Sequence, residues 1–480
     1  MATPEEILTR LKTLRTNDAP TRGGRVLSYV YDSGLSELDS LASRAMELVQ
    51  PVNGLDPTTF TSVATMEREV IEFARKILHG DQNTVGTVTS GGTEGCMLAV
   101  KRARTNFLGT GTPKILAPAT VHAAFHKAAE YFGLELDLVP VEKNGELDPA
   151  RLIERMDQNV ALVVISAPAY PYATLDQISE IAAAASSKGI ECHVDACIGG
   201  WVLPFWANLP HWDLRVPGVT SISADLHKYG YAPKGISVLL TQDRDTQRSQ
   251  YFATTNWPGY PVVNSTLLGS KSAAPLAAAW AIINYLGESG FKALADSMLR
   301  STDRLLAHIS SIGGLKVLGS PTGPLFAVQQ DETCAAQDRI DPHLWADQLA
   351  SLGWHAQLQP AFQQSDGSLM PRTTHLTITP VTESSLDELC AAMTDAAESV
   401  RGVAGVNPMD ILDSLALNET PELDSRTAQE LLVGLGLGDN SAGLPAAMAP
   451  VIALVEALPS ELSQRLLIEL MARLIEPRDV

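Results

Sequence analysis

Between residues 56 and 290, short β-branched runs alternate with stretches in which apolar residues recur every three or four positions. The runs predict strands at Thr84–Thr89, Lys114–Ala117, Leu136–Val141, Ala161–Ser166, Glu191–Asp195, Thr220–Ala224 and Ile236–Leu240. Between them the helical period predicts helices at Glu94–Phe107, His122–Phe132 and Gln177–Ser187. Strands alternating with helices in this way predict an α/β domain whose mainly parallel sheet is covered on both faces. In such sheets the chemistry sits beyond the carboxyl ends of the strands.

Outside that region the pattern changes. An amphipathic helix, Glu5–Leu14, and the breaker-rich Asn17-Asp-Ala-Pro-Thr-Arg-Gly-Gly begin an N-terminal arm, residues 1–55, of the kind that packs on a partner. Residues 56–290 form the large domain. A long helical stretch, Gly290–Ile312, then leads into a small α+β domain at 291–400, with strands at Leu315–Leu318, Leu325–Val328 and His375–Thr379 and helices at Asp341–Leu352 and Ser385–Ser399. Gly402-Val-Ala-Gly-Val-Asn-Pro408 reads as a linker. Beyond it, residues 409–480 carry apolar helical spacing at Ile411, Leu412 and Leu415, at Leu431 and Leu432, and from Val451 to Leu474. That defines a helical extension.

Composition narrows the function classes. With 45% hydrophobic and 19% charged residues the chain is globular, and its 480 residues suffice for two or three cores. A formal net charge of −20 works against a nucleic-acid surface, so no nucleic-acid partner is expected. An anionic cofactor stays possible, because a few local donors make a phosphate site. The five cysteines are scattered without metal-ligand or disulfide spacing, so no metal site is expected. The N-terminus has no signal-peptide pattern, and no 18-residue apolar run occurs. A cytoplasmic protein without a transmembrane segment is the expectation.

Three stretches carry candidate chemistry. Ser221-Ile-Ser-Ala-Asp-Leu-His227-Lys228-Tyr-Gly places a lysine between a hydrophobic run and a Gly/Pro turn. Burial lowers the pKa of such an amine, and a neutral amine can attack a carbonyl, so Lys228 reads as a Schiff-base lysine. Thr89-Ser-Gly-Gly92-Thr93-Glu94 follows a strand and opens a helix. Its glycines let backbone N–H groups approach a phosphate, Thr93 adds a hydroxyl, and the helix start adds partial positive charge. Asp195 ends a buried strand, where a carboxylate needs a partner; a protonated pyridine nitrogen is one such partner.

These segments together resemble the pyridoxal-phosphate enzymes of the group II decarboxylase and sphingosine-1-phosphate lyase superfamily. His193-Val-Asp195-Ala-Cys-Ile-Gly-Gly and Tyr229-Gly-Tyr-Ala-Pro-Lys234-Gly are nearer its lyase branch. The resemblance covers roughly residues 25–400 and implies the aspartate aminotransferase-like fold (fold type I) with pyridoxal 5'-phosphate as cofactor. It implies that His122 lies on the cofactor ring and that His227 lies near its phosphate. It also implies that Ser270, in Gly269-Ser-Lys271, reaches that phosphate from a second subunit, giving a homodimer with shared sites.

Toward the substrate the chain departs from the family pattern. Asn53-Gly-Leu-Asp56 has aspartate where relatives have histidine, Tyr172 stands where lyases often have histidine, and Lys271 replaces arginine. Asn53, Tyr172 and Lys234 are the candidate substrate residues. Lys234 reads equally as an exposed lysine of a Pro-Lys-Gly turn. The function implied is retro-aldol cleavage of a β-hydroxy amine to an aldehyde and an amine such as phosphoethanolamine. An amino-acid α-decarboxylase on the same scaffold and a non-catalytic cofactor-binding scaffold are the alternatives.

Overall fold

The computed structural model describes residues 2–410, 433 and 447–477. Three helices come first: α1 (Pro4–Leu14), α2 (Ser36–Leu48) and α3 (Thr61–Ile77). The large sheet follows, with β1 (Val85–Thr89), β2 (Lys114–Pro118), β3 (Glu135–Val139), β4 (Val160–Ser166), β5 (Glu191–Asp195), β6 (Ser221–Ala224) and β7 (Ser237–Thr241) in the order β1-β7-β6-β5-β4-β2-β3. The ladders from β6 through β5, β4 and β2 to β3 are parallel, and β7 runs antiparallel to both its neighbours. β4 is buried along its whole length, as a central parallel strand covered on both faces must be.

The connecting helices α4 (Gly92–Asn106), α5 (Ala123–Phe132) and α7 (Ile178–Ser187) take the places the helical period predicts, and a short α6 (Pro149–Glu154), not predicted, lies between β3 and β4. Cys96, Met97, Val100 and Ala103 of α4 pack with Ala124, Phe125 and Ala128 of α5 over one sheet face. Val63, Val70 and Ala74 of α3 and Ile178, Ile181 and Ala185 of α7 belong to a larger cluster with the other face. His122, expected as the first helical residue, is instead the N-cap of α5, its Nδ1 accepting from the Ala124 N–H at 3.1 Å.

After a short helix α8 (Arg244–Arg248) and the hairpin β8 (Phe252–Thr254) and β9 (Val262–Asn264), one long helix α9 (Ala274–Ser311) begins well before residue 290. It breaks at Gly287, whose φ of 53° and ψ of −174° only glycine adopts readily. α9 leads to a four-stranded antiparallel sheet in the order β10-β11-β15-β12: β10 (Leu315–Val317), β11 (Leu325–Gln330), β12 (Gln357–Gln359) and β15 (Thr373–Thr377). α10 (Pro342–Ser351) and α11 (Leu386–Val400) supply its second core with Trp345, Leu349, Leu389 and Met393. The pair β13 (Phe362–Gln363) and β14 (Leu369–Met370) is a short hairpin with no clear alternation in the sequence.

None of α1 is buried, whereas residues 25–27 of the arm are bonded into the small domain. Leu27 N donates to His355 O at 2.7 Å, Thr377 N donates to Leu27 O at 2.7 Å, and Leu27 is a core residue. Of the extension, the helices Ala449–Ala457 and Ser460–Ile475 are described. Asp347 caps the first, accepting from Met448 N and Ala449 N, and Glu456 pairs with Arg372 and accepts from Ala361 N. The expected apolar positions Ile411, Leu412, Leu415, Leu431 and Leu432 lie outside the described residues. No helix among the described residues is long and apolar enough to cross a membrane.

Candidate active site

The carboxyl ends of β5 and β6 and the start of α4 converge on one place. Residues 225–231 leave β6 as a tight turn, with Lys228 N donating to Asp225 O at 3.1 Å and Tyr231 N to Lys228 O at 2.9 Å. The turn folds Lys228 Nζ back to 3.1 Å from Asp225 Oδ2. Asp225 is 2% exposed. Its Oδ1 accepts from Ser237 Oγ at 2.6 Å, and its Oδ2 lies 3.4 Å from His227 Nε2. Asp225 thus gathers three groups.

This geometry corrects the expected charge of Lys228. Burial does pull its pKa down, but Asp225, Tyr31, Cys197 and Asp195 outweigh that effect, and the ammonium form is held well above its ordinary range. Spacing alone hides this. An aspartate three residues before the lysine was visible in the sequence, and the turn that brings the two together is what gives it meaning.

Asp195, buried at the end of β5, accepts from the Cys197 N–H at 3.0 Å. Burial raises its pKa; His122, the Cys197 contacts and Lys228 lower it further, so the carboxylate is held below its usual range. Cys96, Asp195 and Cys197 bring their ligand-type atoms within 4.8 Å of one another, a grouping their scattered positions in sequence do not reveal.

The Gly91–Gly92 turn opens α4 against this cluster. A Cβ on Gly92 would stand 2.6 Å from Asp225 Oδ2 and 2.7 Å from Cys197 Sγ, so no other residue fits without displacing them. Thr93 is exposed in the first turn of α4. Glu94 braces the loop, accepting from Ser90 N at 2.6 Å and from Leu267 N at 2.7 Å. His227 Nδ1 is buried with no partner among the described residues, and His227 Cε1 faces Gly91.

Of the sequence-predicted residues, Gly92, Asp195, His227 and Lys228 lie in this one cluster, with His122 electrostatically coupled to Asp195. Lys234 sits at its margin. Its Nζ donates to Tyr29 O at 3.1 Å and His227 O at 3.2 Å, and it lies 4.7 Å from the Tyr31 ring centroid.

Asn53 and Ser270 pair with each other, Asn53 Nδ2 donating to Ser270 Oγ at 3.3 Å. No hydrogen bond or ion pair among the described residues joins them to Lys228. Tyr172 is buried beside a cavity of about 260 Å³ lined by Thr120, His126, Val141, Phe362 and Met370, and has no bond to the lysine cluster. Sequence reasoning missed the aromatic side of the site. Tyr31 stands edge-on to Tyr229 at 5.1 Å, and Tyr170 stacks on His375 of β15 at 4.3 Å. The Tyr229 hydroxyl bonds to Pro324 O and Ile378 O of the small domain, fixing the lysine turn against it.

A glycine cradle at a helix start, an unpartnered buried imidazole nitrogen beside it, a largely buried lysine and a buried strand-end carboxylate fit pyridoxal phosphate. The family model described as the pyridoxal-dependent decarboxylase conserved domain matches residues 35–317, and a second, described as a pyridoxal-dependent enzyme C-terminal HTH domain, matches residues 408–473. The chain belongs to the pyridoxal-dependent decarboxylase family, and its cofactor is pyridoxal 5'-phosphate.

Within that family it resembles the sphingosine-1-phosphate lyases. It is 35% identical to the Dictyostelium discoideum protein of that name, over 71% of this chain and 66% of that protein. With the Arabidopsis thaliana lyase it shares 33% identity over 86% of this chain and 74% of the other. A solved sphingosine-1-phosphate lyase from Burkholderia pseudomallei superposes with a TM-score of 0.77 at 30% identity, covering 88% of this chain and 96% of that one. The Lactobacillus brevis glutamate decarboxylase, at 19% identity and a TM-score of 0.72, shares the fold. The chain spans slightly less than two thirds of the Dictyostelium relative and 61% of the rat one.

Proposed function

We propose that this protein is a pyridoxal-phosphate-dependent carbon–carbon lyase that cleaves a β-hydroxy amine of the sphingoid-base-phosphate type to an aldehyde and an amine. The observation that carries it is the Lys228–Asp225 pair set between Asp195 and the Gly92 cradle, in a chain similar over most of its length to sphingosine-1-phosphate lyases. Pyridoxal phosphate, when bound, supplies an aldehyde that combines with amines and a ring that accepts electrons from a breaking bond.

The chain's own residues do the rest. Lys228 holds the cofactor covalently between turnovers, and Asp225 Oδ2 is placed to hold the lysine's proton. Asp195, ionised and buried, keeps the ring nitrogen protonated. His122, electrostatically coupled to Asp195, would hold the ring beside that carboxylate. The N–H groups at Gly92 and Thr93 and the side chain of His227 bind the phosphate. Lys234, at the margin of the cluster, meets an anionic substrate group. Asn53 and Ser270, bonded to each other and, among the described residues, not to Lys228 of their own chain, fit a role across a homodimer interface.

We also propose the four-part division 1–55, 56–290, 291–400 and 409–480, supported by two separate cores and by the linker after residue 401. A panel of amino acids and β-hydroxy amines, assayed for aldehyde and for carbon dioxide, tests the reaction. Aldehyde release from a β-hydroxy amine is expected. Carbon dioxide without aldehyde would make the protein a decarboxylase.

A further inference from the structure

His193 is fully buried in the middle of the sheet, one strand position from Ser221 and two residues before Asp195. Nothing in the reaction above uses it. Yet both ring nitrogens are bonded: Nδ1 lies 2.8 Å from Ser221 Oγ and Nε2 lies 3.1 Å from Ser223 Oγ. The parallel register of β5 on β6 causes this, since it sets His193 opposite Ser221 and Asp195 opposite Ser223. The bonds extend both ways. Arg102, itself fully buried, donates from Nη2 to Ser221 Oγ at 2.8 Å, and Ser223 Oγ donates to Asp195 Oδ1 at 3.5 Å.

The two ends favour one direction for the bonds between them. An arginine only donates and a carboxylate only accepts. Ser221 accepts from Arg102, and its own proton finds an acceptor among the described residues at His193 Nδ1. His193 carries its hydrogen on Nε2 and donates it to Ser223, which passes its proton toward Asp195. Ser223 also accepts from the Cys197 thiol at 3.3 Å, so its lone pairs and its hydrogen are all used. In the opposite tautomer the Ser221 proton would have no acceptor among the described residues, and Asp195 would lose its Ser223 donor.

We propose that His193 is a positioning residue for Asp195, the centre of a one-way chain of hydrogen-bond donors that starts at Arg102 and ends on the Asp195 carboxylate. The chain occupies Oδ1 from behind, together with the Cys197 N–H, and leaves the second oxygen for the cofactor. It also supports the ionised form, because each donor in a low-dielectric interior strengthens the next. Burial and the nearby Arg102 hold the imidazole neutral, pushing its pKa down to about 3 against the pull of Asp195. Arg102 is fixed in turn by Glu191, at 2.8 Å from its Nε, and by Thr241 at 2.9 Å, so the far end of the chain does not move. The proposal rests on reading Asp195 as the partner of the ring nitrogen.

Histidine NMR on the cofactor-free and cofactor-bound protein tests it without any substrate. The carbon and nitrogen resonances that vanish in His193→Gln are expected to report a neutral ring with hydrogen on Nε2 across about pH 5 to 9. A ring protonated on Nδ1, or one that titrates in that window, would overturn the chain. A gentler variant, Ser223→Ala, keeps the fold and cuts the last link. It should lower kcat about tenfold with KM little changed and shift the pH dependence of the bound cofactor's absorbance, as loss of a supporting partner does elsewhere.

His193→Gln, whose amide can still donate to Ser223, should retain more activity than His193→Leu. Wild-type kcat and absorbance profile in Ser223→Ala would overturn the proposal. Asp195→Asn separates this failure from that of the parent reading. Full turnover in Asp195→Asn would remove Asp195 from the mechanism, whereas its inactivation beside an unaffected Ser223→Ala would reject only the chain.

Discussion

At the scale of residues, the site works by setting charges against burial. Lys228 keeps its proton although burial opposes it, because Asp225, Tyr31, Cys197 and Asp195 together outweigh the desolvation, while Lys234, later in the same loop, goes the other way. Its ammonium is covered by Tyr29, the Tyr31 ring and the His227 carbonyl, and burial, with repulsion from Lys228, lowers its pKa to about 8 despite Asp225. The sign of the consequence is fixed. Below that pH Lys234 is charged and can meet a phosphate; as pH rises through it the charge is lost. The free enzyme's kcat/KM for a phosphorylated substrate should therefore fall above about pH 8, by a contact worth about 1.5–3 kcal/mol. Lys234→Arg, charged throughout, should abolish that limb, and an unchanged profile in Lys234→Arg would place the titrating group elsewhere.

At the scale of elements, the alternation of β-branched runs and helical periods was enough to predict all seven strands of the large sheet to within two residues at either end. Parallel strands buried on both faces leave strong signatures. What the alternation could not show was contact made by turns. Asp225 reads as one more polar residue until the turn after β6 folds Lys228 onto it, and Tyr31 and Tyr170 reach the site from segments with no periodic signal. The hairpin β13–β14 is likewise too short to carry a pattern.

The stretch around Ser270 has its own test. Leu267 N is tied to Glu94, and Lys271 N donates to Asn53 Oδ1, so the segment is braced by its own chain while Ser270 itself is exposed. If Ser270 serves a partner's site, mixing Lys228→Ala subunits with Ser270→Asp subunits should restore activity in heterodimers, since one site then has two intact halves. Absence of any recovery, with mixed dimers verified, would contradict the shared site.

At the scale of the whole molecule, two cores meet at the lysine turn. Tyr229, the residue after Lys228, is fully buried and bonds through its hydroxyl to two carbonyls of the small domain. Residues 25–27 bridge to His355 and bond to Thr377 beside the small sheet, and Arg25 lies over the Trp354 ring and pairs with Glu388, so the arm is part of that domain as well as its leader. The described helices of the extension are anchored to the small domain through Asp347, Arg372 and Glu456.

All of this organisation serves one covalent attachment, and that attachment can be measured directly. Borohydride reduction of the protein with its bound cofactor, followed by digestion and mass spectrometry, reads which side chain carries it, because only a carbon–nitrogen double bond is trapped as a stable amine. The reduced cofactor is expected on the peptide containing Lys228, and no adduct is expected in Lys228→Ala. An adduct on any other lysine, or its persistence in Lys228→Ala, would contradict the assignment of the site.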